Sequence, residues 1–93
     1  MRDAYELVLP APLPAHGWKV KIRGRERLEP PHVTIIRKTK AWRFSLREME
    51  FMDREPDPSV VPDELISAIK DKIEEIQRAW DEKYPENPVG SKD

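Results

Sequence analysis

Two rhythms of apolar and polar residues run along the chain. Trp18, Val20 and Ile22 alternate with Lys19, Lys21 and Arg23, a period of two that predicts a strand with one apolar and one cationic face. Val33, Thr34, Ile35 and Ile36 form a β-branched run, whose stiff side chains suit a pleated backbone. Trp42, Phe44 and Leu46 alternate with Arg43, Ser45 and Arg47 and predict another strand; Met49 and Phe51 extend it or begin a fourth. Lys38, Thr39 and Lys40 fit the turn between the second and third of these runs. Past residue 62 the period changes. Leu65, Ile66, Ile69, Ile73, Ile76, Trp80 and Tyr84 recur at three- and four-residue spacing, the stripe of an amphipathic helix. Asp63 and Glu64 suit the positive end of its dipole, and Pro85 stops it. As one helix, residues 63–84 would be about 33 Å long, enough to cross a small sheet.

Prolines divide these elements. A short apolar stretch over residues 5–9, itself a candidate strand, leads into Pro10, Pro12 and Pro14, which impose an extended connector. Pro30 and Pro31 have no ladder donor and mark the start or edge of a strand at His32. Pro56, Pro58 and Pro62 punctuate a loop. The expected plan is a terminal strand and connector (1–16), an antiparallel sheet (17–52), a loop (53–62), a helix (63–84) and a tail (85–93) that is frayed from Asn87. The fold class is α+β, a small antiparallel sheet of three or four strands with one long C-terminal helix packed on one face. Parity directs Trp18, Val20, Ile22, Val33, Ile35, Trp42, Phe44 and Leu46 toward that helix. It directs Lys19, Lys21, Arg23, His32, Thr34, Arg43, Ser45 and Arg47 to the other face, and Arg25 and Arg27 continue the row if the backbone stays extended past Gly24.

Length and composition limit the rest. Ninety-three residues make one small domain with a thin core, to which a partner or a homo-oligomer would add stability. There is no cysteine, which removes disulfides, thiolate nucleophiles and Cys-based zinc sites, and two histidines cannot make a three-His metal site. No apolar run approaches the roughly 20 residues of a membrane span, and the first residues lack the basic and apolar regions of a secretory signal. A cytoplasmic, soluble protein without cofactor or metal is expected. The net charge of −1 hides a division: residues 16–47 carry ten Lys or Arg against two Glu, a net +8, and residues 48–93 carry six against fourteen acids, a net −8. Each half can attract the other or an outside partner.

The candidate chemistry lies mostly in the basic half. Lys19, Lys21, Arg23, Arg25, Arg27, Arg37, Lys38, Lys40, Arg43 and Arg47 are the candidate nucleic-acid-binding residues, because spaced cations match a phosphate backbone. A sheet surface suits RNA or single strands, although no aromatic residue falls on the cationic face by parity. The bland alternative is a solvated face, or one paired with the acidic helix. His32 is the candidate catalytic residue, since a side chain with a pKa of about 6.5 can take a proton from a 2′-hydroxyl while nearby cations stabilise the phosphorane. Its bland alternative is a structural histidine bonded to backbone. The acids Glu29, Glu48, Glu50, Asp53, Glu55 and Asp57 lack the spacing of a known metal loop and read as a solvated segment.

Glu29-Pro30-Pro31-His32-Val33 resembles the motif of a family of short prokaryotic proteins of unknown function. In that family the motif leads into a strand, an aromatic-containing strand follows, and a long C-terminal helix ends near an Ala-Trp-acidic-Glu-x-aromatic pattern, here Ala79 to Tyr84. The likeness covers residues 17–84. Thr34 and Leu28 stand where members often carry further histidines. Such proteins are often encoded beside another small gene, in arrangements like toxin–antitoxin modules, so the resemblance implies a partner protein from a neighbouring gene. Two functions are then weighed: an RNA-binding component of such a module, with a ribonuclease version centred on His32, and a non-catalytic interaction protein that uses charge complementarity or its sheet edge.

Overall fold

The computed structural model describes residues 5–23 and 29–90. The expectations for Gly24, Arg25 and Arg27 lie outside the described residues. Three strands form an antiparallel meander in the order β1 (Trp18–Lys21), β2 (His32–Arg37) and β3 (Lys40–Ser45). Val20 pairs with Ile35 and Ile35 with Trp42; Val33 pairs with Phe44. The period-two positions of all three strands therefore share one face. That face is buried in a single apolar cluster with Leu65, Ile69, Ile76 and Trp80 of the helical layer. A two-layer α+β arrangement results.

Short pairings extend both edges of the sheet. Glu6 bridges Lys21, with Leu7 N donating to Val20 O at 2.9 Å and Ile22 N to Tyr5 O at 3.0 Å. Phe51 bridges Phe44, and their rings meet edge to face at 5.3 Å. Each is a single bridge, so among the described residues the sheet has three strands with a bridge on each side. Pro14–His16 forms a 3₁₀ turn ending at Gly17, whose φ of 91° requires a residue without a Cβ. β3 ends in a tight reversal. The Ser45 hydroxyl accepts from Arg47 N at 3.2 Å and Glu48 N at 2.9 Å, Met49 takes a φ of 59°, and Met49 N closes on Ser45 O at 3.0 Å.

The expected single long helix is two, α1 (Asp63–Asp71) and α2 (Ile73–Lys83). Between them Lys72 has φ −111° and ψ 22°, and its N–H reaches the carbonyls of Ala68, Ile69 and Lys70. The last turn of α1 is tightened in the manner of a 3₁₀ helix. No glycine or proline marks the place. The tail is also not frayed over its described part. Trp80 Nε1 donates to Asn87 O at 2.7 Å, Val89 N to Asp81 Oδ1 at 2.8 Å, and Arg47 donates to Val89 O and Pro88 O. Val89 is buried. The tail docks because Trp80, buried whole, needs an acceptor for its indole N–H.

Candidate nucleic-acid interface

By register Lys19 and Lys21 of β1, His32, Thr34 and Ile36 of β2, and Arg43 and Ser45 of β3 form the second face of the sheet, whose His32 end Trp80 of α2 also reaches. It is not a uniform wet surface. His32 is 0% exposed, and Thr34 and Ser45 are buried with it. The His32 ring lies 5.5 Å from that of Trp80, Nδ1 is 2.8 Å from Pro30 O, and Nε2 is 3.7 Å from Glu29 Oε1. The Pro30-Pro31 pair folds the chain back so that this carbonyl meets the ring. A base that takes a proton from a 2′-hydroxyl must touch it, and this imidazole is enclosed. Ser45 shapes the turn after β3.

Arg43, at the centre of that face, is occupied. Its Nη2 and Nε bind the two Asp53 carboxylate oxygens at 2.6 and 2.9 Å, and Nη1 binds Glu29 Oε1 at 3.2 Å. The bidentate hydrogen bonds from Arg43 hold the Asp53 carboxyl below its ordinary range, against a smaller opposing effect of burial. The guanidinium is correspondingly harder to deprotonate. Arg47 lies past the strand end and gives its donors to the tail carbonyls. Both cations therefore carry structural bonds. Lys19 and Arg23 are exposed and Lys21 is half-buried.

Arg37 and Lys40 take the opposite parity. They pair with each other, and Arg37 also pairs with Trp18, which puts both on the Trp18 and Trp42 side of the sheet. The same count along β2 that turns Val33 and Ile35 inward turns Arg37 with them, so the sequence contained this signal. At the tip, Lys38 has φ 57°, the positive value that a two-residue hairpin asks of its first central residue. Arg37, Lys38 and Lys40 border a hollow of about 320 Å³ whose apolar wall is Trp18, Trp42 and Val60. The two indoles are 5.6 Å apart and tilted by 39°. The Arg37 guanidinium lies 5.3 Å above the Trp18 ring while its Nε donates to His16 O at 2.9 Å, which fixes the planar group in place. Val60 is 55% exposed at the rim.

Among the described residues no carboxylate lines this hollow. Asp57, which accepts the Trp42 indole N–H on its carbonyl, directs its side chain to Ser59 N. That backbone hydrogen bond holds the Asp57 carboxyl below its ordinary value. Of the ten candidate cations, the eight that are described fall into separate groups. Lys19, Lys21 and Arg23 follow β1, Arg37, Lys38 and Lys40 gather at the hairpin, and Arg43 and Arg47 serve the fold. Among the described residues no three acidic or histidine side chains converge as a metal site would require, and no helix is long and apolar enough to cross a membrane.

Comparison of the chain with known protein families, curated proteins and solved structures found no match.

Proposed function

We propose that the protein binds single-stranded nucleic acid, RNA by preference, without cleaving it, as a component of a two-gene module of the toxin–antitoxin kind. The observation that carries the reading is the hairpin-end hollow. Three cations border a hollow backed by two buried indoles, and among the described residues no carboxylate lines it. An aromatic base and its phosphate present these same two demands. A base can stack on the Arg37 plane or pack on Val60, while Lys38 and Lys40 take phosphate oxygens. The enclosed His32 favours binding over catalysis, and the setting beside a second gene rests on the Glu29 to Val33 resemblance.

The test is fluorescence anisotropy with a labelled single-stranded RNA at several salt concentrations. Lys38→Ala combined with Lys40→Ala should weaken binding about tenfold and flatten the salt dependence by about one phosphate equivalent, with the thermal transition unchanged. Equal affinity of this variant and the parent protein would refute the assignment. His32→Ala, if folded, should leave the RNA intact, as the parent does; RNA cleavage that disappears only in that variant would restore the nuclease reading.

A further inference from the structure

The edge of the sheet beside β1 presents a different surface. Tyr5 and Leu7 turn their main-chain groups toward β1. In an extended segment the alternate residues, Glu6 and Val8, turn theirs away. Those outward groups meet no backbone partner among the described residues. Val8 is 89% exposed, the most exposed large apolar side chain described. Such an edge is a template for one more strand.

Beside this edge runs a groove of about 590 Å³ between residues 8–10 and α1. Leu9, Pro10 and Ala68 give it apolar lining, and Ser67 and Ala68 are small side chains on the α1 side. Glu64, Ser67, Ala68 and Asp71 follow one another at helical spacing, so a single stripe of α1 faces the edge. The rim carries Asp63, Glu64 and Asp71 against one cation, Lys72. A strand laid along Glu6 and Val8 would turn alternate side chains into this groove and over its acidic rim.

We infer that the edge and groove dock an extended segment of a partner protein in which Lys or Arg alternates with small apolar residues. Backbone bonds to Glu6 and Val8 would give affinity, and the acidic rim would give selectivity. A second copy of this chain is the poorer occupant. Twofold pairing of the same edge would set Asp63, Glu64 and Asp71 of both copies against each other. This site lies on different residues from the hairpin hollow and does not depend on its binding nucleic acid.

The full chain is titrated with an end-capped Lys-Val-Lys-Val-Lys-Val peptide and with its Glu-Val counterpart, by NMR with amide exchange. The basic peptide should bind saturably and slow exchange at the Glu6 and Val8 amides, and the acidic one should bind at least about tenfold more weakly. Val8→Pro removes an outward N–H that the fold does not use, and should reduce binding by a similar factor. Ser67→Arg, at an exposed helix position, blocks and recharges the groove and should do the same if the proline variant is unfolded. Absence of binding, equal binding of both peptides, or binding unaffected by Ser67→Arg would overturn the inference. So would sedimentation showing a dimer that Ser67→Arg dissociates, because the occupant would then be the chain itself.

Discussion

Arg43 is held by carboxylates from two distant parts of the chain, Glu29 before β2 and Asp53 after β3. The side chain is 38% exposed, so solvent screens the pair and its value is that of a well-aligned surface fork. Arg43→Met should destabilise the fold by about 1 kcal/mol at neutral pH, measured by urea unfolding. Asp53 has a depressed folded pKa, so its contribution is complete above the ordinary carboxylate pKa and is lost as pH falls through the depressed value. The difference between parent and variant should therefore shrink on acidification to about pH 3. A difference that is constant with pH would mean that the methionine acts through packing alone. Residues of this kind mark the limit of sequence reading. The parity of Lys19, Lys21 and Arg43 followed from local alternation. The occupation of Arg43 depends on partners 10 and 14 positions away, which no local period reveals. The enclosure of His32 depends on Trp80, at the far end of the chain.

At the scale of elements, the strands were legible because each has a period-two apolar set that the observed register aligns. The helical layer was legible as a stripe, and its interruption was not, since Lys72 is neither glycine nor proline. The two halves differ in attachment. α2 is tied to the rest by the Tyr5 hydroxyl on Glu75, Gln77 Nε2 on Leu46 O at 3.0 Å, and Trp80 on Asn87. Tyr84, its C-cap, donates to Arg23 O. Burial, followed by the Glu75 hydrogen bond, raises the Tyr5 phenol above its ordinary pKa, so the link persists across the neutral range. α1 has Leu65 and Ile69 in the core but no side-chain hydrogen bond to the sheet among the described residues. Amides of α2 should accordingly exchange more slowly than those of α1, with the change falling at Lys72. Uniform protection from 65 to 83 would show that the two helices open as one unit.

For the molecule as a whole, the basic and acidic halves of the chain are folded against each other only in part. Glu29 and Asp53 neutralise Arg43, while the hairpin cations and the acidic rim of α1 line different hollows. Closure of the fold falls to the tail. Residues 85–90 supply the acceptors for Trp80 and Arg47 and the buried Val89 side chain. Ending the chain after Tyr84 should lower the stability by about 2–4 kcal/mol, read as an earlier urea midpoint, and an unchanged midpoint would show that this segment is dispensable. The docking of the tail has a bearing on synthesis. Whenever the chain emerges in order, Trp80 appears before Asn87, so the indole N–H has no Asn87 acceptor until seven further residues have followed. A tag joined directly after Val89 would compete with that step, and a flexible spacer would spare it.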